Sequence, residues 1–306
     1  MILEYQMSLL RGQPDDEAIK MIKYYEGLAI EMDERGYCVC TSEGKDSRVL
    51  GHLFRRAGVK HFYVHNITGI DPPELIYFQR KKFQEYRDMG YLTYEIMYEK
   101  SIWQLMMEKL IPPYRQIRYC CKELKEKRNN VISGCLFSFG VRKFESVKRS
   151  QNRNELEIQL VKKGSGNIIM PFDNAENRKT FENCYKDHEK RVNPIAYWTS
   201  DDIWNYSKDV GLEQCCLYNE GFERLGCIGC PMARQKGRHR EFERWKGFEK
   251  LYHLYFHKMF DERKRQGKAN YWDSADEWFY CWYNEIYIGN KAENEELLNI
   301  QMEIEM

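Results

Sequence analysis

The chain has 306 residues, with 48 basic and 47 acidic side chains and a formal charge of +1. Hydrophobic residues make up 42% and charged residues 31%, enough apolar material for the core of one large domain or two small ones. The balanced charge gives no global reason to expect a nucleic acid or an anionic membrane as partner, and no apolar run approaches the roughly 18 residues of a membrane helix.

Met1 to Asp15 lacks the basic-then-apolar pattern of a signal peptide, so the expected location is cytoplasmic. In that reducing setting eleven cysteines call for a metal or redox explanation rather than disulfides. Asp15 to Met32 sets Ile19, Ile22, Leu28 and Ile30 among charges, the spacing of a helix that stops at Gly36. Tyr37 to Thr41 is β-prone and leads into the loop Ser42-Glu43-Gly44-Lys45-Asp46-Ser47, after which a helical pattern runs from Val49 to Gly58. His61–His65 is the next strand, and Pro73–Met89 the next helix, with prolines suited to its first turn. Tyr91–Met97 reads as a strand, Ile102–Leu110 as a helix and Val131–Val141 as a fourth strand. Strands alternating with helices predict an α/β fold, a mostly parallel sheet with helices on both faces.

Gln151 to Asn193 is polar, contains Gly164-Ser165-Gly166 and reads as a peripheral insertion or surface hairpin. Thr199 and Asp202 have the spacing of a helix cap. Further on, Phe242, Trp245, Phe248, Leu251 and Tyr252 recur at helical spacing, predicting helices over Glu241–Arg265 and Ser274–Tyr283. Ala292 to Met306 is acidic and reads as a fraying end. The expected organisation is a helical segment over 1–36, an α/β domain over 37–232 with an insertion at 151–193, and a helical subdomain over 233–306.

Between a strand and a helix, Gly44 and Lys45 combine the ingredients of a phosphate site: backbone N–H groups at a helix N-terminus, close approach and positive charge. The kinase-type GxxxxGK[ST] pattern is not matched, because its first glycine is missing and Asp46 follows Lys45. The loop instead resembles the S-G-G-K-D-S loop of the PP-loop ATP pyrophosphatases, in their phosphoadenosine-phosphosulfate (PAPS) reductase-like branch, and departs from it only at Glu43. Thr68-Gly69 with Pro73-Glu74 resembles a second motif of that branch. Gly140-x-Arg142-x-x-Glu145-Ser146 with Arg149 resembles a third, and Asn193-Pro194-Ile195 with Trp198-Thr199 and Asp202-Ile203-Trp204 a fourth.

The resemblance spans roughly residues 30 to 232 and implies an adenine nucleotide, ATP or PAPS-like, over the C-terminal edge of the sheet. It implies Ser42, Gly44, Lys45, Asp46 and Ser47 around the phosphate, completed by Thr68, Gly69, Gly140, Arg142, Glu145 and Ser146. Lys45, Asp46 and Arg142 are the expected catalytic set, a guanidinium fork being matched to oxyanion geometry. For Glu43 two readings stand open: it points to solvent, or it holds Mg2+ at the phosphates.

Cys227-Ile228-Gly229-Cys230-Pro231 is a C-x2-C knuckle, with tandem pairs upstream at Cys215-Cys216 and Cys120-Cys121. Four thiolates suit either zinc or an iron–sulfur cluster. Cys38, Cys40, Cys135, Cys184 and Cys281 read as small core or surface residues. His253 and His257 lie too far beyond Cys230 for a zinc finger and read as packing on an aromatic face. The arrangement resembles adenylylsulfate reductases and DNA-phosphorothioation ATP pyrophosphatases, which hold a four-cysteine [4Fe-4S] cluster. That resemblance implies Cys121, Cys215, Cys227 and Cys230 as ligands, with Cys120 and Cys216 as alternates.

Sulfonucleotide reductases also carry a mobile E-C-G-(I/L)-H tail whose cysteine attacks the sulfate. Here the cysteine that follows Cys230 is Cys281, beside Tyr280 and Trp282 and near Glu277 and Glu285, not the electropositive setting of a reactive thiolate. The favoured expectation is therefore cleavage of ATP between its α and β phosphates, with Mg2+, to adenylylate an acceptor that a sulfur donor protein then thiolates. The alternatives are PAPS or adenylylsulfate reduction, and a non-catalytic nucleotide sensor with a structural metal. Basic residues and Trp245 within 234–246 offer contact to a nucleic-acid acceptor, against the reading of a solvated helix start. A homodimer fits the same expectation.

Overall fold

The computed structural model describes residues 14–126, 132–143, 156–159, 168–169, 189–268 and 271–286. In chain order the elements are α1 (Pro14–Tyr24), α2 (Glu26–Met32), β1 (Tyr37–Cys40), α3 (Lys45–Ala57), β2 (His61–Ile67), α4 (Pro73–Asp88), β3 (Thr93–Met97) and α5 (Ile102–Lys109). There follow the single turn α6 (Tyr119–Cys121), which runs on into a π turn at Lys122–Glu126, then β4 (Leu136–Phe139), β5 (Leu156–Gln159), β6 (Ile168–Ile169) and β7 (Glu189–Val192). The last elements are α7 (Ser200–Asp209), α8 (Arg234–Arg244), α9 (Lys246–Arg265) and α10 (Ala275–Asn284). The chain divides into two discontinuous units, one of residues 1–65, 74–95 and 128–224, the other of residues 66–73, 96–127 and 225–306. Segments 66–73 and 96–127 thus belong with the C-terminal helices.

The strand order is β3-β2-β1-β4-β7-β5-β6. β1 runs parallel to β2 and β4, β4 runs parallel to β7, and β5 is antiparallel to both β7 and β6. The mostly parallel sheet expected from the alternating pattern is present. Its inner strands are apolar without alternation, as strands covered on both faces must be: Tyr37, Cys38 and Val39 are fully buried, as are Leu136 and Tyr63. In the first unit α3 turns Val49, Leu50, Leu53 and Phe54 into a core with Ile22, Val39, Tyr63, Leu136 and Val192. Burying each such side chain is worth about 1.5–3 kcal/mol. The helix ends where Gly58 takes φ 69°, a left-handed cap that glycine supplies without strain. At α7 the predicted cap is formed: Thr199 Oγ1 accepts from the Asp202 N–H at 3.1 Å, and Asp202 Oδ2 accepts from the Thr199 N–H at 2.7 Å.

Three expectations for this unit need correction. The N-terminal helix is two helices, broken at Tyr25. The fourth strand covers only Leu136–Phe139, because the chain turns before it at Gly134, with φ 82°. The 151–193 segment is more than a peripheral hairpin, since its β7 pairs in parallel with β4 inside the sheet order.

The second unit is held by aromatic side chains whose polar ends are bonded, as buried polar groups require. The Trp278 indole donates to the Tyr114 hydroxyl at 3.1 Å, and the Trp282 indole to the Pro113 carbonyl at 2.9 Å. Trp272 stacks on Trp278 at 4.6 Å, and Tyr252 on Trp282 at 5.1 Å. The buried Arg238 lies over the Trp282 ring and donates to the Trp282 carbonyl. The expected helix over Glu241–Arg265 starts earlier, at Arg234, and breaks at Trp245, whose φ −121° and ψ 63° are not helical. Ser274 caps α10 by accepting from the Glu277 N–H. The expected fraying of 292–306 lies outside the described residues. Among the described residues no helix is long and apolar enough to cross a membrane.

Candidate nucleotide loop and thiol site

In the first unit the loop leaves β1 and enters α3. Gly44, just before the helix, is extended (φ −74°, ψ 164°) and has no side chain to cap it, which leaves the first-turn N–H groups to other acceptors. The Lys45 N–H donates to the Tyr218 hydroxyl at 2.8 Å. Ser47 Oγ accepts from the Ser42 N–H at 3.3 Å and donates to the Gly44 carbonyl at 3.0 Å, closing the loop on itself. The Lys45 ammonium lies 3.4 Å from the Asp46 carboxylate and donates to the Glu223 carbonyl at 3.2 Å. Arg142 Nε reaches the other Asp46 oxygen at 2.7 Å, and Arg142 Nη1 donates to Ser200 Oγ at the start of α7 at 3.2 Å. The three residues of the expected catalytic set therefore meet, two cations sharing one carboxylate beside a helix N-terminus. A phosphate arriving there competes with Asp46 for both cations.

Gly140 follows β4 and presses on the same loop. A Cβ at this position would stand 2.9 Å from the Ser47 nitrogen and 3.0 Å from the Asp46 carbonyl carbon, so the close approach itself demands glycine.

Glu43 fits neither reading offered by the sequence. Its φ of 53° turns the side chain inward, where it is 1% exposed. One carboxylate oxygen accepts from Thr41 Oγ1 at 2.9 Å and the other from Arg48 Nη1 at 3.2 Å. It neither faces solvent nor offers a free oxygen to a magnesium ion. The left-handed backbone also explains why the resembling motif has glycine there. Tyr218 is a loop partner that sequence reasoning missed; it lies far along the chain, with no spacing rule tying it to Lys45. Glu145, Ser146 and Arg149 lie outside the described residues.

Thr68 and Gly69 belong to the second unit. The Thr68 hydroxyl and N–H both donate to Asp71, at 2.7 and 2.9 Å, and the hydroxyl accepts from the Cys227 thiol at 3.4 Å. The structure thus places Thr68 with a knuckle cysteine. Gly69 takes φ 77°.

The same unit gathers four thiols, Cys120 and Cys121 from α6 and Cys227 and Cys230 from the knuckle. A hydrogen bond with Cys121 and burial hold the Cys120 thiol above its ordinary pKa, with the charges of Cys121, Cys227 and Cys230 adding to the effect. Burial pushes Cys227 up to about 11, opposed by the positive charge of Lys125. Lys125 in turn is raised, first by Cys227 and then by Asp71, Cys121 and Cys230. The knuckle is fixed from several sides: the Ile228 N–H donates to the Ile70 carbonyl at 2.7 Å, the Gly229 N–H to the Glu241 carboxylate at 2.8 Å, and the Tyr252 hydroxyl to the Ile228 carbonyl at 3.2 Å. Cys120, Cys121, Cys227 and Cys230, with the Lys125 ammonium set against their charge, are the candidate donors within this unit for a thiolate-bound metal, which requires them deprotonated.

Cys215 and Cys216 lie in the first unit. Burial pushes Cys215 up to about 11, and its charged neighbours are Cys216 and Glu74. Cys120 thus shares a unit with Cys121, Cys227 and Cys230, whereas Cys215 belongs to the other. Cys281 is 7% exposed on α10, as its aromatic context led us to expect. His253 packs edge-on against Phe279 at 5.1 Å, and it also has a polar partner that the packing reading did not foresee.

A mostly parallel sheet whose first strand feeds a Ser-x-Gly-Lys-Asp-Ser loop into a helix is the arrangement of the PP-loop class. Residues 36–233 match the family model of the phosphoadenosine phosphosulfate reductase domain. The chain belongs to that family. An uncharacterized protein of Methanocaldococcus jannaschii is 29% identical over 258 residues, covering 80% of this chain and 51% of the relative. The adenosine 5'-phosphosulfate reductase of Oceanobacillus iheyensis is 26% identical over 139 residues, covering 44% of this chain and 47% of the enzyme. The chain thus spans about half the length of these curated relatives. Among solved structures, the phosphate complex of PAPS reductase from Candida auris aligns at 12% identity and a TM-score of 0.44, covering 72% of this chain and 91% of that one. The U34-tRNA thiolase NcsA of Methanococcus maripaludis, with its [4Fe-4S] cluster, aligns at 11% identity and a TM-score of 0.44, covering 82% and 78%.

Proposed function

We propose that the chain is an adenylylating enzyme of sulfur transfer. An acceptor oxygen attacks the α-phosphorus of ATP, the bond to the β-phosphate breaks, and pyrophosphate leaves. Sulfur from a donor protein then displaces AMP from the activated carbon. The observation that carries this reading is the convergence of Lys45 and Arg142 on Asp46 beside the uncapped α3 N-terminus. There the two cations and the N–H groups of the loop would neutralise the phosphate charge, and Mg2+, when bound, would offset charge on the leaving pyrophosphate. In the second unit Cys120, Cys121, Cys227 and Cys230 would hold a [4Fe-4S] cluster, zinc being the alternative; a cluster would supply a site for binding or relaying sulfur. α8 exposes Arg234, Lys236 and Arg240 toward a nucleic-acid acceptor, whereas Arg238 is spent in the core and His239 stacks on Tyr283. The burial of Cys281 weighs against sulfonucleotide reduction, whose nucleophile must reach the bound sulfate.

The test is release of pyrophosphate from ATP by anaerobically purified protein, with and without a sulfur donor and candidate acceptors. Lys45→Ala and Arg142→Ala should each weaken ATP binding about 10–100-fold, the range for losing one charge-assisted contact. Iron and sulfide should be present in the purified protein. Thioredoxin-dependent sulfite release from PAPS that vanishes in Cys281→Ser would replace this proposal with the reductase.

A further inference from the structure

Away from the thiols, the second unit gathers a different set of metal donors. His253 and His257 sit one turn apart on α9, and Asp276 is in the first turn of α10. The two imidazole Nε2 atoms lie 2.7 and 2.8 Å from the same Asp276 oxygen, Oδ1. The two rings are 4.8 Å apart, and the edge of Phe279 fixes the face of His253. The ligand atoms of all three residues fall within 4.8 Å of one another, and among the described residues no other trio of histidine, cysteine or carboxylate groups does so. The side chains keep 44%, 44% and 65% of their surface exposed, which leaves open faces for water or a further ligand.

We propose that His253, His257 and Asp276 form a binding site for a divalent transition metal, zinc in the first instance. Two imidazoles and one carboxylate with open positions are a three-ligand set used by zinc, and imidazole donors favour zinc, nickel and copper over magnesium or calcium. Tetrahedral bonds of ~2.1 Å separate ligand atoms by about 3.4 Å. The two Nε2–Oδ1 spacings need to open by roughly 0.6–0.7 Å, and the two nitrogens, now within 4.8 Å of each other, to settle near the same separation, adjustments that half-exposed side chains permit. Each Nε2 then offers its lone pair to the ion, with its proton moved to Nδ1 or released to solvent. The bound ion ties α9 to α10. The site shares no ligand residue with the thiols or with the loop.

The experiment titrates zinc into the intact protein as purified, with its thiol site loaded. Binding is followed by calorimetry and thermal unfolding, and the environment of the added zinc by X-ray absorption. One additional zinc per chain is expected, with nitrogen and oxygen at about 2.0–2.2 Å and no sulfur at about 2.3 Å. A rise in the unfolding midpoint should accompany it. The double variant His253→Ala/His257→Ala should lose the site, and Asp276→Asn, which keeps a side chain able to bond, should bind at least about tenfold more weakly. Sulfur around the added zinc, or undiminished affinity in both variants with their helix content intact, would overturn the proposal.

Discussion

The Glu43 carboxylate and the Arg48 guanidinium meet at 3.2 Å, with 1% and 4% of their side chains exposed, as a buried ion pair at the root of the nucleotide loop. Arg48 also donates to the Tyr86 hydroxyl at 2.5 Å and to the Glu213 carbonyl at 3.2 Å, so the guanidinium joins the loop to α4 and to the segment after α7. Removing one partner of such a pair strands the other charge. Glu43→Gln should therefore cost about 3–5 kcal/mol of stability in urea unfolding. Glu43→Gly recovers the roughly 1–2 kcal/mol spent on the left-handed backbone yet still strands Arg48. The double variant Glu43→Gln/Arg48→Met should be less destabilised than the sum of its single changes. A loss below about 1 kcal/mol in Glu43→Gln, the range of exposed pairs, would show that the pair is not isolated from water.

Among the thiols, single serine substitutions should sort by unit. Cys120→Ser, Cys121→Ser, Cys227→Ser and Cys230→Ser are each expected to lower the bound metal, whereas Cys215→Ser should retain it. Iron, sulfide and zinc analysis of the purified variants reads this directly. Full metal content in Cys120→Ser together with loss in Cys215→Ser would restore the ligand set expected from sequence.

Gly229 gives a third expectation. It takes φ 72°, and an added Cβ would stand 2.7 Å from the Tyr252 ring and 2.8 Å from the Phe242 ring. Gly229→Ala combines left-handed strain with overpacking and should cost about 2–4 kcal/mol. Because the rings lie against the knuckle, it should also reduce metal retention. A variant of unchanged midpoint and metal content would refute the rigid-knuckle account.

The dependence of stability on pH follows from His61. Burial depresses its pKa to about 4, partly offset by its bond to the Val59 carbonyl. The native state prefers the neutral ring, so between about 6.5 and 4 the unfolded chain binds more protons. Stability is fully present above the ordinary histidine pKa and falls as the pH drops through that window. The loss from this residue is on the order of 3 kcal/mol. His52, also depressed to about 4 chiefly by burial, adds in the same direction. His61→Phe should flatten the profile by its share in denaturant titrations at pH 7, 5.5 and 4.5.

What the sequence made legible was local. The loop and α3 were visible because glycine and lysine sit between a β-prone run and a helical repeat, and the start of α7 because Thr199 and Asp202, three positions apart in sequence, cap each other. Tyr218 was invisible, since its bond to the Lys45 N–H spans 173 residues and no periodicity reports it. The inward turn of Glu43 depended on its having Arg48 to bury against. The break at Trp245 interrupts a stretch whose apolar spacing alone reads as continuous. Spacing could not select four ligands from six candidate thiols: the resemblance implied Cys121, Cys215, Cys227 and Cys230, and it takes the fold to show that segment 96–127, which carries both Cys120 and Cys121, groups with residues 225–306.

That same discontinuity limits how the molecule can be cut or recombined. Cys120 and Cys121 come from a stretch before residues 128–224, and Cys227 and Cys230 from the stretch after it. A C-terminal fragment beginning at Leu225 would inherit half of the thiols, and a fragment ending at Arg224 would carry the other half. Swapping either piece with a relative would pair thiols shaped in different backgrounds. On the proposed ligand set, any fragment that is to hold the metal must therefore include both thiol pairs, with the whole stretch 128–224 carried between them.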